Sequence, residues 1–369
     1  VEQLGKKLIE CGAPVWRVRL NCLTLNPLVA GWSVIWSEDQ EHFTETQASH
    51  QYRVNDSFVG TPMHIVSTTR SLYRKKMDDL NKDSDHSLLF ALRDQGATDY
   101  VVIPLIFSNG EVSTLIVVSQ YRPGFSDSDI AAFNELAEFI APVFETFALR
   151  RSAQSLLETY VGKRTGKRVL EGQIQRGDGE LIEAAVWFCD LRGFTTLTES
   201  ISSSDLIDLL NEYFEIVSDA VEQCGGEVLK FIGDAMLVVF PVTDEVSRQC
   251  ACRMACRAAM TATSRVHENN RHRTRSGSHP INFGLGLHVG EVVYGNVGAP
   301  ERLDFTVLGA AVNMAARVEG LSKSTGYPIL MTNEVAQEID TPNSSVGYHE
   351  LKGVHGLIEL FALQSTELK

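Results

Sequence analysis

Two aspartates carry the strongest chemical signal in the chain. Asp190 follows the apolar run "VWFC", and Asp234 sits inside "VLKFIGDAMLVVF", directly after Gly233. An apolar strand does not hold ionised carboxylates without compensation, because an unpaired buried charge is costly. Two carboxylates at the ends of neighbouring strands make a hard-oxygen site suited to Mg²⁺ or Mn²⁺. Just after Asp190, the turn residues Gly193, Phe194 and Thr195 precede a helix-like run, where backbone N–H groups can meet phosphate oxygens. Lys230 places a cation four residues before Asp234. Further along, Asn313 and Arg317 in "TVLGAAVNMAARVEG" are four apart on a helical pattern and so share a face. An amide and a guanidinium aligned in this way suit a ribose and a phosphoryl group.

Residues like these need a sheet and helices to hold them. From residue 181 to 369 the chain alternates the two: "AAVWFCDL", "SDLIDLLNEYFEIVSDAVEQCGG", "EVLKFIGDAMLVVF", "DEVSRQCACRMACRAAMTATSRV" and "INFGLGLHVGEVVYGNVG". This order predicts an α+β domain, a mixed sheet covered by helices. The stretch around Lys230 and Asp234 reads as one buried strand, and the basic "HENNRHRTRSGSHP" reads as a solvated loop. Residues 1–126 instead show short strands, among them the pair "VVIPLIF" and "EVSTLIVVS" around a Ser-Asn-Gly turn, a hairpin signal. Residues 127–180 join the two zones. Helical spacing of Ile130, Phe133, Ile140, Phe144 and Phe147 predicts a helix from about 127 to 160, kinked at Pro142.

The bulk numbers limit the partners. With 47 acidic and 33 basic residues among 369, the formal charge is −14, which is unfavourable beside nucleic acid or an anionic membrane. A phosphate-bearing substrate must therefore be held by a local site. No apolar run reaches the length of a membrane span, and no signal-peptide pattern opens the chain. The chain begins at Val1, which leaves an upstream segment open. The seven cysteines form no Cys-x-x-Cys pair; Cys250, Cys252 and Cys256 read as small hydrophobes on a helix, and the expectation is a reduced, cytoplasmic protein.

Taken together and in order, "FCDLRGFT", "VLKFIGDAML", "GLHVGEVVYGNVG", "TVLGAAVNMAARVEG" and "YHELKGV" resemble the catalytic domain of class III nucleotidyl cyclases over residues 181–365. The resemblance implies that Asp190 and Asp234 bind two Mg²⁺ or Mn²⁺ ions. It places Lys230 and Thr306 at the purine, Asn313 at the ribose, Arg317 at the transition-state phosphate and Lys352 at the triphosphate. Lysine is the adenylyl choice where guanylyl cyclases generally carry glutamate. Threonine in place of aspartate at position 306 is similar to a bacterial, bicarbonate-responsive subset. Ala310 departs from the family's usual Asp or Asn, at a position outside the chemical groups. The implied activity is conversion of ATP to cyclic AMP and pyrophosphate by a homodimer, each site combining the metal ligands of one chain with the base readers of the other. A guanylyl cyclase and a catalytically silent module of the same fold are the alternatives. Lys230 argues against the first and the full set of chemical residues against the second.

"DYVVIPLIFSNGEVSTLIVVSQYRPGFSDSDIAAFNELAEFIAPVF" resembles the second half of a GAF domain, which implies an α/β sensor that binds a small molecule or chromophore, or only dimerises. Cys11 and Cys22 do not match a bilin-attachment position, and His42, His50, His64 and His86 read as surface or satisfied histidines rather than haem ligands. "LLETYVGKRTGKRVLEG" is similar to the short transducing element that precedes many cyclase domains. The signal sensed is not named by the sequence.

Overall fold

The computed structural model describes residues 1–24, 26–27, 29–51 and 58–363. The chain divides into two compact units, Val1–Thr159 and Tyr160–Lys369.

Six strands build the first unit: β1 (Arg17–Leu23), β2 (Val29–Ser37), β3 (Thr44–Ser49), β4 (Tyr73–Lys76), β5 (Asp99–Ile106) and β6 (Val112–Ser119). They pair antiparallel throughout in the order β3-β2-β1-β6-β5-β4, and the expected hairpin is β5–β6. Alternation along the strands gives the sheet two faces. Val18, Leu20, Leu115 and Val117 pack with Phe133, Ala137 and Phe144 of the helix Asp127–Val161. That helix runs through Pro142 as one element and leaves Phe139, Val143 and Phe147 exposed at spacings of four. On the other face Tyr100, Val102, Ile116 and Val118 meet Met63 and Val66 of the helix Pro62–Thr69, and Leu89 and Leu92 of the helix Ser87–Asp94.

Towards β1–β3 that second face turns polar. Arg19 donates to Asn21 Oδ1 at 2.6 Å and to Ser33 Oγ at 3.0 Å. Ser33 and Thr46 hydroxyls lie 2.7 Å apart, and Asn21 donates to Thr114 Oγ1 at 2.9 Å. These side chains wall a cavity of about 760 Å³, which Trp32, Met63 and Arg70 also line. Of the four histidines weighed in the sequence, His86 accepts from Leu88 N–H and caps a helix, and His64 accepts from Gly60 N–H.

The second unit is α+β, as the alternation predicted. Its strands are β7 (Gly179–Leu191), β8 (Glu227–Ile232), β9 (Ala235–Pro241), β10 (Phe283–Ala299), β11 (Arg302–Leu308), β12 (Ile329–Thr332), β13 (Asn343–Glu350) and β14 (Leu357–Leu363). The sheet order is β13-β14-β12-β10-β7-β9-β8, with β11 folded back on the far half of β10; β10–β12 is the parallel pair. Ala185, Trp187, Met236, Val238 and Phe240 point to the face covered by the helices Ser203–Gln223 and Arg248–Arg275. Ala184, Val186, Leu237 and Val239 point to the face covered by Ala311 and Ala315 of the helix Ala310–Gly320. Two glycines bring this last helix down onto β10. A Cβ at Gly286 would lie 2.3 Å from Ala315 O, and one at Gly284 2.6 Å from Glu319 Oε1.

Two sequence expectations need correction. The run around Lys230 and Asp234 is a hairpin rather than one strand: Ile232 pairs with Ala235, and Gly233, at φ +66°, makes the turn. A period of two with apolar residues throughout cannot show a reversal; only the Gly-Asp pair marked it. The histidine-rich stretch is helical as far as Arg275, because its polar side chains are bonded. Asn270 closes two bonds with the backbone of Ile281, and Arg273 pairs with Glu212. Cys252 and Cys256 are buried in the same helix, and burial pushes both thiols up to about 12, which leaves them inert.

Candidate active site

Asp190 is the last residue but one of β7, opposite Gly284 of β10, and Asp234 stands in the β8–β9 turn. Because β7 and β9 are neighbours, with Cys189 opposite Met236, the strand end and the turn converge. The Asp190 and Asp234 carboxyl groups face each other, and Asp190 Oδ1 is buried with no partner. Burial, then Asp234, then the charge of Glu319 push the Asp190 carboxyl up to about 7. Two carboxyl groups brought together, one of them with an orphaned buried oxygen, are a donor set short of positive charge. Mg²⁺ or Mn²⁺, which prefer carboxylate oxygen, fit that deficit.

Gly193 follows at φ +75° and heads the short helix Phe194–Ser200, with no side chain capping its first N–H groups. Phe194 and Thr195 therefore begin this helix, shortly after Asp190 in the chain.

Lys230 lies on β8 and forms an ion pair with Asp304 of β11. Thr306 is two residues on, 8% exposed and opposite Gly295. One chain thus brings Lys230 and the Asp304–Thr306 strand together. Asp304 was missed in the sequence; its alternation with Thr306 on one strand was the available signal. Glu319 was missed too, although it stands two residues past Arg317 inside the motif "TVLGAAVNMAARVEG".

Asn313 is exposed and Arg317 half-buried on the helix Ala310–Gly320. Among the described residues Arg317 has no carboxylate within ion-pair distance, so its charge is not spent on the fold. The loop after β13 reaches it: a Cβ at Gly353 would lie 3.4 Å from Arg317 Nη2, which puts Lys352 in the adjoining position. On β8 and β11, the strands of Lys230 and Thr306, Phe231, Ile232, Leu303 and Leu308 stay exposed on a single chain. No described group of three or more His, Cys, Asp or Glu side chains forms a separate metal centre, and no described helix is long and apolar enough to cross a membrane.

Residues 179–365 match the family model of the adenylate and guanylate cyclase catalytic domain. An adenylate cyclase of Anabaena cylindrica is 34% identical over 171 residues, covering 46% of this chain and 34% of that protein. Adenylate cyclase 1 of Rhizobium meliloti is 26% identical over 282 residues, covering 74% of this chain and 42% of that protein. The chain thus spans well under half the length of these two relatives. Among solved structures, a bacterial light-regulated adenylyl cyclase superposes with a TM-score of 0.54 at 21% identity, over 73% of this chain and 86% of that one, a likeness of fold.

Proposed function

The chain belongs to the adenylate and guanylate cyclase family, and from that premise we propose that it is an adenylyl cyclase, working in sites shared between two copies of the chain. The observation that carries this reading is the Asp190–Asp234 pair with its orphaned oxygen. These two carboxylates would hold the two Mg²⁺ or Mn²⁺ ions. When bound, such ions supply Lewis acidity to phosphoryl oxygens and make a bound hydroxyl more acidic.

The chain's own residues do the rest. In the reaction the ATP 3′-hydroxyl gives up its proton to solvent as its oxygen bonds to the α-phosphorus, the bond from that phosphorus to the β-bridging oxygen breaks, and pyrophosphate leaves. Lys230, steadied by Asp304, donates to adenine N1, which is an acceptor; guanine N1 carries a hydrogen and repels an ammonium. Thr306 accepts from the adenine amino group. Asn313 orients the ribose. Arg317 offsets charge developing on the α-phosphate, commonly worth about 3 kcal/mol for a comparable donor. Lys352 and the N–H groups at Gly193, Phe194 and Thr195 meet the triphosphate. The exposed Phe231, Ile232, Leu303 and Leu308 favour a homodimer, in which they are covered.

Product analysis tests the substrate. Purified protein with Mn²⁺ is expected to make cyclic AMP from ATP, with cyclic GMP from equimolar GTP a minor product by mass spectrometry. Comparable turnover of GTP overturns the adenine assignment and favours the guanylyl reading.

The first unit is proposed as a GAF-like regulatory unit whose ligand occupies the cavity beside Arg19, Asn21 and Ser33. A cavity of this size walled by Arg19, Asn21, Ser33 and Thr46 beside Trp32 and Met63 offers both hydrogen-bonding and apolar surface to a small molecule. Denaturing the purified chain is expected to release a small molecule detectable by mass spectrometry. Thr46→Trp, an exposed edge-strand position facing the cavity, should lose that molecule. Equal content in both proteins, or none in either, defeats the assignment.

A further inference from the structure

The short helix Lys163–Leu170 is fastened to the catalytic sheet by a buried acid. Thr165, 1% exposed, donates its backbone N–H to Glu227 Oε1 at 3.3 Å, and its hydroxyl is 3.5 Å from the same oxygen. The other oxygen, Oε2, accepts from the Tyr294 hydroxyl at 3.0 Å. One turn further along the helix, the Arg168 guanidinium lies over the Tyr294 ring, 4.7 Å from its centroid, and pairs with Glu180 at 2.6 Å. Glu227 is 7% exposed and Tyr294 2%, so neither can touch substrate. A carboxylate buried this deeply costs stability unless its bonds are made, and here they are made by two separate elements.

The same two residues lead to both base readers. Glu227 opens β8, three residues before Lys230, and between them the pairing with β9 slips at Val228/Lys230. A bulge of this kind bends its strand and re-aims the side chain beyond it. Tyr294, on β10, packs edge-on against Phe305 at 4.8 Å and 87°. Phe305 separates Asp304, the partner of Lys230, from Thr306. A displacement of the helix would therefore be felt on β8 at Lys230 and on β11 at Thr306 at once.

We infer that Glu227 and Tyr294 are positioning residues for purine recognition, and that the docked helix Lys163–Leu170 sets the separation of Lys230 from Thr306 through them. The inference rests on the adenylyl cyclase reading, in which those two side chains meet the base. It gives the helix a particular output: a change in its docking alters how well ATP is bound and told from GTP, before it alters the rate of the chemical step.

The test uses the full chain and compares wild type with Glu227→Gln and Tyr294→Phe. Glu227→Gln keeps the shape but turns one acceptor into a donor; Tyr294→Phe removes the hydroxyl alone. Each variant is expected to raise KM for ATP about 5- to 10-fold, the scale of one buried hydrogen bond. The ratio of cyclic AMP to cyclic GMP should fall by a similar factor, with kcat at saturating ATP within about 2-fold of wild type. Arg168→Ala, a partly exposed position, probes the same network without altering a buried group and should shift the ratio in the same direction. This keeps the test open if a buried variant fails to fold. A lower melting temperature with wild-type KM and product ratio overturns the inference and leaves a purely structural role. If wild type itself turns over GTP as fast as ATP, the adenylyl reading fails instead, a result visible before any variant is assayed.

Discussion

Asp190→Ala and Asp234→Ala are each expected to reduce cyclic nucleotide formation at least about a thousandfold at saturating Mn²⁺, while the protein stays folded. Both carboxylates serve the same small volume, so losing either leaves an incomplete donor set. The fold should survive, because the pair is a cost to it: burial, Asp234 and Glu319 all raise the Asp190 carboxyl. Asp190→Asn keeps the side-chain shape and removes one of two facing charges. In metal-free buffer its melting temperature should equal or exceed that of wild type, while turnover is lost. Circular dichroism through the melt, alongside a product assay, checks both halves. Near-normal turnover in any of these variants defeats the metal assignment, and collapse of the fold in Asp190→Asn defeats the view that the pair is a functional expense.

Recovery of activity from two dead proteins is the second large effect. Under the shared-site reading, Asp234→Ala lacks a metal ligand and Arg317→Ala lacks the phosphate donor, so each homodimer is inactive. In a mixed dimer one site collects both lesions. The other takes an intact Asp190–Asp234 pair from the Arg317→Ala chain and intact Lys230, Thr306, Asn313 and Arg317 from the Asp234→Ala chain. Random mixing makes about half the dimers mixed, each with one good site in two, so with independent sites the mixture should reach roughly a quarter of wild-type activity. Differently tagged chains purified twice should reach about half. No activity in that doubly purified dimer sinks the shared site, because a site built within one chain cannot be rescued at any mixing ratio.

Local chemistry made some of this legible in the sequence and hid the rest. That Asp190 and Asp234 converge could be read from charges embedded in apolar runs, since such strands leave few places for a carboxylate. The α+β sheet followed from the alternation of period two and period 3.6. The β8–β9 reversal did not, because Val228, Phe231, Met236 and Val238 supply an apolar pattern that a single strand would share. The helix extending to Arg275 was hidden because its last turns are held by bonds from Asn270 and Arg273 to distant partners, not by an apolar stripe. Glu227, Asp304 and Glu319 were invisible for a similar reason. An acidic residue on a strand or helix reads as solvated until the chain has folded and placed Tyr294, Lys230 or Asp190 beside it.

The two bare glycines of β10 bear on how such an enzyme can be switched. Gly284 pairs with Asp190, and at Gly284 and Gly286 the helix carrying Asn313 and Arg317 lies so close that even a methyl group would meet its backbone or Glu319. Interiors packed this tightly transmit strain instead of absorbing it. Asp190 and the helix of Asn313 and Arg317 in one chain therefore travel as a single rigid lever, although under the proposed shared-site reading they serve different substrate molecules. Under that reading, a shift of this helix against β10 in one chain would reach both of the clefts to which that chain contributes.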